Sequence, residues 1–302
     1  MTTVKMRGVT KRYGSFLALD DVSLELRENT IHGLLGRNGA GKTTVMQILT
    51  AQNFETSGTV EVFGEHPYEN AEVLGKVCFI REAQKYPDAF RVRDALAAAA
   101  LLFPNWDAGF AASLVEDFQL RLKQTIKKLS RGQLSAVGVI IGLASRAPLT
   151  FFDEPYLGLD AVARQLFYDR LLADYAENPR TIVLSTHLID EVSDLIEHVV
   201  VIDRGRILID EDADVLRGQA VTVTGPTAAV KAYIDRGAEG YTELHREELG
   251  GFLRVTLQGA EPVPSLRSEG LEFEPVSLQQ LVVRTTQQAT SELHENRKVA
   301  AR

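Results

Sequence analysis

Residues Gly36-Arg37-Asn38-Gly39-Ala40-Gly41-Lys42-Thr43 follow the order G-x-x-x-x-G-K-[ST]. Glycines let backbone N–H groups close around phosphate oxygens, and the helix that follows offers its positive N-terminal end. Lys42 is placed to reach the terminal phosphates, and Thr43 to ligate Mg²⁺. The bland alternative, an ordinary glycine turn before a helix, loses ground because a buried run precedes the loop and helical spacing follows it. A second group is Asp153-Glu154, which closes the apolar run Leu149–Phe152. Two acids at the C-terminal end of a buried strand sit where parallel sheets bind ligands, so Asp153 can hold a magnesium shell while Glu154 faces an attacking water. Alone they would read as solvated acids; beside a phosphate loop they supply the metal carboxylate that nucleoside triphosphate hydrolysis needs. His187, after Ser185-Thr186, ends the next buried strand and reads either as a structural histidine or as a contact to the γ-phosphate.

Strands and helices must hold these groups in place. The buried run Ile31–Leu35 is broken by Gly36, and Lys42–Ala51 restores helical spacing through Val45, Ile48 and Leu49. Before it, Val22, Leu24 and Leu26 alternate as a strand does. Leu149–Phe152 and Thr181–Ser185 are two further buried strands, separated by a helix over Ala161–Ala176. That is the length a right-handed βαβ crossover requires, so a parallel sheet follows. The stretch from Asp94 to Leu143 is rich in Ala and Leu and predicts several helices. Val199–Asp203 and Arg206–Ile209 flank Arg204-Gly205, a hairpin signal. Beyond Arg217 the texture changes, with turns marked by Gly225-Pro226, Gly237, Gly240, Gly250-Gly251 and Pro262 to Pro264. A small α+β unit is expected there, with strands at Val221–Thr224, Tyr241–Arg246 and Phe252–Leu257. A helix near Ala228–Ile234 and a last helix from Leu278 complete it. The polar stretch Glu292–Arg302 is expected to fray.

Composition narrows the function classes. With 302 residues, 45% hydrophobic and 25% charged, the chain is an ordinary folded protein, which excludes a disordered, collagen-like or disulfide-scaffold reading. Its 33 basic against 41 acidic residues give a net charge of −8, the wrong sign for a protein that lives on nucleic acid or anionic lipid. The single cysteine, Cys78, makes no intrachain disulfide, and no charged-then-apolar signal segment opens the chain, so a reducing, cytosolic location is expected. The apolar stretches Ala95–Phe103 and Leu134–Ala144 fall short of the ~20 residues that cross a bilayer. Service to a membrane would run through a partner.

Between the phosphate loop and the acid pair lies Leu129-Ser130-Arg131-Gly132-Gln133, which resembles the signature sequence of ATP-binding-cassette ATPases and stands in the expected helical region. Tyr13, in Lys11-Arg12-Tyr13-Gly14, is similar to the aromatic residue that stacks on adenine in that family. Gly158-Leu159-Asp160 is similar to its D-loop, and His187 to its switch histidine. The resemblance covers about Met1 to Arg217. It implies an α/β P-loop NTPase fold of the ABC type over residues 1–216, with a helical subdomain at about 85–147; the small C-terminal α+β domain with a polar tail, 217–302, is read from the turn-rich texture alone. In the family two cassettes pack head to tail, each ATP lying between one phosphate loop and the other subunit's signature helix. The resemblance therefore implies nucleotide contacts from Tyr13, from Gly36, Arg37, Asn38, Gly39, Ala40, Gly41, Lys42, Thr43 and Thr44, and across the interface from Ser130, Gly132 and Gln133. Glu154 would be the general base, His187 the γ-phosphate sensor and Asp160 an organiser of the dimer interface. Thr43 and Asp153 would hold Mg²⁺.

One departure concerns the loop that usually carries glutamine after a strand. Here it reads Phe79-Ile80-Arg81-Glu82-Ala83-Gln84, which puts Glu82 in the metal-contacting place and Gln84 two residues late. A carboxylate can still ligate Mg²⁺. Arg131 at the variable signature position and Tyr156 after Asp153-Glu154-Pro155 are further departures. Phe103-Pro104-Asn105-Trp106-Asp107 reads as packing in a helix–helix turn or as a partner-facing surface, and with Glu82 it resembles a bacterial branch serving small export-type permeases. Arg91, Arg93, Lys123, Lys127 and Lys128 read as a solvated face. The resemblance thus implies the ATP-binding and ATP-hydrolysing subunit of an ABC transporter, an exporter acting as a homodimer on the inner face of the membrane beneath a separately encoded permease. The rival reading is a soluble ABC-type ATPase acting on nucleic acid or ribosomes.

Overall fold

A computed structural model describes residues 1–82, 84–237, 241–259 and 270–288. The expected turns at Gly240 and Pro262 to Pro264 and the polar Glu292–Arg302 lie outside the described residues. The chain forms two compact units, one of Met1–Leu188 with Leu195–Asp210 and one of Ile189–Asp194 with the rest from Glu211.

In the first unit, β1 (Thr2–Tyr13), β2 (Phe16–Arg27) and β4 (Ser57–Val62) form an antiparallel sheet in the order β2-β1-β4. The apolar alternation predicted at Val22, Leu24 and Leu26 is buried on one face of β2, opposite Val9, Met6 and Val4 of β1. The second sheet has the order β5-β6-β7-β3-β8-β9. Its strands are β3 (Ile31–Leu35), β5 (Val77–Arg81), β6 (Leu149–Asp153), β7 (Thr181–Thr186), β8 (His198–Asp203) and β9 (Arg206–Asp212). Pairing is parallel from β5 through β6, β7 and β3 to β8, as the crossover argument requires. Buried on both faces, β3, β6, β7 and β8 have no exposed residue and are mostly apolar along their length. Between β8 and β9, Arg204 and Gly205 both have positive φ, 48° and 77°, the requirement of a tight two-residue hairpin turn.

Helix α1 (Lys42–Leu49) buries Val45, Met46, Ile48 and Leu49 in one core with side chains of both sheets, among them Met6, Val22, Phe151 and Val183. A short α2 (Ala71–Leu74) precedes β5. The Ala- and Leu-rich stretch folds as α3 (Val92–Leu102), α4 (Ala108–Asp117), a 3₁₀ turn at Ile126–Lys128 and α5 (Arg131–Ala144). Phe103–Asp107 is the turn between α3 and α4: Asp107 caps α4 through Phe110 N at 2.7 Å and pairs with Arg146 at 2.9 Å, while Asn105 donates to the Arg146 carbonyl at 3.2 Å. The five basic residues of the expected solvated face are all exposed. Helix α6 (Ala161–Glu177) makes the crossover from β6 to β7 and packs Phe167 on Phe152.

In the second unit, α7 (Ile189–Val192) and α8 (Ala213–Gln219) precede β10 (Ala220–Pro226), α9 (Thr227–Gly237), β11 (Tyr241–Leu249), β12 (Phe252–Gly259), β13 (Glu272–Pro275) and a helix over 278–288. The sheet order is β11-β12-β10-β13, with β12 antiparallel to both β10 and β11, a split β-α-β arrangement. Val223, Leu253, Val255 and Leu257 pack against Val230 of α9. Helix α8 runs without a break into β10 and packs on it.

Candidate functional site

Parallel register brings the chemistry-bearing residues to one edge. Leu35 of β3 lies beside Thr186 of β7, and Asp153 of β6 beside Ser185 of β7, so the phosphate loop, the acid pair and His187 all leave the sheet at its C-terminal end. Gly36 turns the loop away from β3 at φ 154°; a Cβ there would lie 2.2 Å from the Ile202 carbonyl oxygen, which only glycine avoids. Lys42, the first residue of α1, is buried and donates to the carbonyls of Gly36 at 2.7 Å and Arg37 at 3.3 Å. Its ammonium also stands 3.6 Å from Glu154 Oε1. The next residue, Thr43, donates to Asp153 Oδ2 at 2.8 Å, and Ser185 donates to Asp153 Oδ1 at 2.9 Å. Burial pushes the Asp153 carboxyl up from its ordinary value, against the pull of those two hydrogen bonds.

Glu154 has φ 49°, a left-handed conformation that costs a non-glycine residue about 1–2 kcal/mol. Such an outlier points to a site where the fold holds a side chain in place. Its Oε2 takes a hydrogen bond from the Tyr156 hydroxyl and lies 2.9 Å from His187 Nδ1. Its Oε1 is buried and has no hydrogen-bond partner. Burial pushes the Tyr156 phenol upward, and the bond to Glu154 adds to that.

These groups line a pocket of about 610 Å³ formed by Arg37 to Thr44, Asp153, Glu154, Leu157 and His187, with Phe16, Ala18, Glu82 and Arg131 at its sides. Of the residues expected to hold nucleotide within the chain, Tyr13 and Gly36 are not among its lining; Ser130, Gly132, Gln133 and Asp160, expected at an interface with a second cassette, are not among it either. The Tyr13 hydroxyl meets the Asn53 amide and its ring lies under Lys11, 4.9 Å from the ammonium, while Phe16, its partner across the β1–β2 turn, takes the pocket wall. Ser130 and Gln133 form a reciprocal cap on α5: Gln133 N donates to Ser130 Oγ at 3.2 Å and Ser130 N to Gln133 Oε1 at 3.1 Å. Asp160 caps α6 through Ala163 N at 2.9 Å. Gly132 lies against its own chain, since a Cβ there would stand 2.5 Å from the Gly158 carbonyl oxygen. Glu82 is in the pocket wall and is paired with Arg131 at 2.5 Å. Gln84 instead accepts from the Arg81 N–H at 3.4 Å. Phe16, Ala18 and Leu157 belong to no motif in the sequence, and Arg131 and Tyr156 stand there only as departures from the family pattern. The strongest available signal was a polar hydroxyl on Tyr156 two residues after Glu154.

Residues 19–157 match the ABC transporter family. The bacitracin transport ATP-binding protein BcrA of Bacillus licheniformis is 30% identical over 219 residues, a match that covers 72% of each protein. This chain belongs to the ABC transporter family. The Nod factor export ATP-binding protein I of Cupriavidus metallidurans is 33% identical over 213 residues, covering 68% of this chain and 70% of that one. The fold agrees: a solved ATP-binding subunit of an ABC transporter superposes with a TM-score of 0.65 at 23% identity, over 72% of this chain and 92% of that one. As an ABC-family ATPase, the chain binds ATP, and its loop of backbone N–H groups with Lys42 at the base fits a triphosphate. The residues also fit Mg²⁺, which prefers hard oxygens and is commonly held by one or two carboxylates together with substrate phosphates. Thr43 Oγ1 and Asp153 supply such oxygens at the mouth of the loop. Among the described residues no helix is long and apolar enough to cross a membrane.

Proposed function

We propose that this chain is the ATP-hydrolysing subunit of an export system, working as a pair of cassettes beneath a separately encoded permease on the inner face of the membrane. The observation that carries the reading is the meeting of two polar sets under one loop: Thr43, Asp153 and Ser185 on one side, Glu154, Tyr156 and His187 on the other. In this reading Gly36 to Thr44 hold the phosphates, and Lys42 offsets their charge. Thr43 and Asp153, with Glu82 from the neighbouring strand end, hold Mg²⁺. When bound, the ion would neutralise developing phosphate charge during transfer. The Oε1 atom of Glu154, buried and without a hydrogen-bond donor, takes the proton of the attacking water. His187 stands at the same oxygen pair and senses the γ-phosphate.

Phe16, with Tyr13 beside it, supplies the aromatic surface for the adenine. The caps of α5 and α6 leave Ser130, Gly132, Gln133 and Asp160 to face the second cassette, for which a homodimer is the simplest form. Export rather than import is supported by the names of the relatives, one of which serves Nod factor export. A role on nucleic acid or ribosomes finds no support in those names or in the net charge of −8. The unit after Asp210 is assigned an accessory role.

The test is reconstitution with the membrane protein encoded beside it. ATP turnover stimulated by that partner in vesicles, together with an ATP-loaded dimer of Glu154→Gln on gel filtration, is the expected result. A partner that leaves turnover unchanged and a variant that stays monomeric with ATP would overturn the assignment.

A further inference from the structure

Three features have contacts that the roles given so far do not use: the Glu82–Arg131 ion pair, the acidic pocket on the β10–β12 sheet, and the hydroxyl of Tyr156. The ion pair is largely exposed, and exposed pairs carry little energy. The sheet pocket offers nothing that says what would cover it. Tyr156 is different, because its surroundings fix which way its proton points.

The Leu188 N–H donates to Thr186 Oγ1 at 2.9 Å, and Thr186 Oγ1 donates to the Tyr156 hydroxyl oxygen at 2.9 Å. Tyr156 O–H in turn donates to Glu154 Oε2. A hydroxyl has one proton. The His187 backbone N–H also donates to the Tyr156 oxygen at 3.4 Å, and His187 Nδ1 lies 3.1 Å from that oxygen and 2.9 Å from Glu154 Oε2. A backbone N–H can only donate and an ionised carboxylate can only accept, so with the Nδ1 proton directed at Oε2 the hydroxyl protons of Thr186 and Tyr156 run in one direction, toward Glu154. The Tyr156 ring is buried, with 2% of its surface exposed, and stands beside His187 at a centroid distance of 5.9 Å, so it cannot swing out to take water instead. Linked hydrogen bonds of this kind polarise one another and hold their terminal acceptor in one orientation.

We infer that Tyr156 is a positioning residue: its hydroxyl, backed by Thr186 and Leu188, holds Glu154 Oε2 together with His187 Nδ1 and thereby leaves Oε1 for the attacking water. The inference rests on Glu154 being the base. It assigns the two carboxylate oxygens different work, Oε2 to anchoring and Oε1 to proton transfer. Oε1 is the atom the structure leaves buried without a hydrogen-bond donor and 3.6 Å from the Lys42 ammonium. No proton leaves the Tyr156 oxygen during turnover.

The experiment compares Tyr156→Phe, Thr186→Val, their double variant, Glu154→Gln, and Glu154→Gln combined with Tyr156→Phe, all in the full chain. Tyr156→Phe removes one hydrogen bond to a charged acceptor and should lower kcat roughly tenfold while the KM for ATP changes by less than about twofold. Adding Thr186→Val to Tyr156→Phe should cost little more, because the donor it removes acts only through the missing hydroxyl. In the Glu154→Gln background Tyr156→Phe should leave the residual turnover unchanged. A second readout needs no turnover: in urea unfolding of nucleotide-free protein, the midpoint losses of Tyr156→Phe and Glu154→Gln should fall short of adding, since the second weakens, by removing the acceptor's charge, the bond that the first removes. The inference is overturned if Tyr156→Phe turns over at the wild-type rate while Glu154→Gln is inactive, or if the losses simply add. If Glu154→Gln itself keeps the wild-type rate, it is the base assignment that falls. Should Tyr156→Phe fail to fold, Thr186→Val carries the test, with a smaller kcat loss that Thr186→Ser partly restores; no kcat difference between those two would count against the inference.

Discussion

The phosphate loop and the signature loop are both short polar runs at helix N-termini, yet they use their polar groups differently. At the first, Lys42 and Thr43 turn inward, to Gly36, Arg37, Glu154 and Asp153, and line a pocket with the last three. At the second, Ser130 and Gln133 satisfy each other's backbone N–H groups at the start of α5, and the remaining charged group, Arg131, reaches across to Glu82. One loop has its chemistry completed within the chain. The other is a pre-shaped surface whose donors are used on its own helix, which suits a face that contributes only when something docks on it. The difference predicts that damage at the first loop shows in the isolated chain as lost affinity, and at the second as lost stability and lost assembly.

Lys42→Ala makes the largest break. Removing charge-assisted hydrogen bonds to phosphate should weaken ATP binding by roughly tenfold to a hundredfold, read by calorimetry on the monomer. Gly132→Ala comes next, because its new Cβ would meet the Gly158 carbonyl oxygen at 2.5 Å and one of the two backbones must move. A loss of about 1–3 kcal/mol in urea unfolding is expected, with ATP affinity of the isolated chain kept. Ser130→Ala and Asp160→Ala each remove a helix cap and should cost about 1 kcal/mol apiece. Neither should alter ATP affinity in dilute monomer, and a tenfold loss there would erase the distinction between the loops. Glu82→Gln is the smallest change. It dissolves an exposed ion pair worth about 0–1 kcal/mol, so unfolding should barely move. The magnesium dependence of turnover should shift, and a titration that superimposes on wild type would remove Glu82 from the metal's ligands.

The same contrast explains what could be read before the fold was known. Gly36 to Thr43 is contiguous, and its neighbours Ile31–Leu35 and Lys42–Leu49 declare a strand and a helix by periodicity alone, so loop and setting were legible together. The acid pair and His187 were legible because buried parallel strands read as apolar runs and their ends are marked by polar residues. The order of those strands was not, since β3 lies between β7 and β8 and only the folded crossovers decide that. Contacts between distant positions were also beyond reach. Arg131 pairs with Glu82 49 residues away, and Thr186 points its hydroxyl at Tyr156 30 residues away. Tyr13 and Phe16 are both aromatic and exposed at the same turn, and which one walls the pocket depends on side-chain direction at a bulged hairpin. In the second unit the strands at Ala220–Pro226, Tyr241–Leu249 and Phe252–Gly259 were marked by alternation and glycine turns, whereas β13, only four residues long with three exposed, gave no periodic signal.

Glu154 Oε1 is proposed as the proton acceptor for ATP hydrolysis in the pocket under the phosphate loop. Steady-state turnover of Glu154→Gln, measured beside its ATP affinity, tests this directly, because the amide keeps the shape and removes the base. Turnover should fall by about a hundredfold or more while ATP binds as tightly as before. Hydrolysis at the wild-type rate would contradict the account.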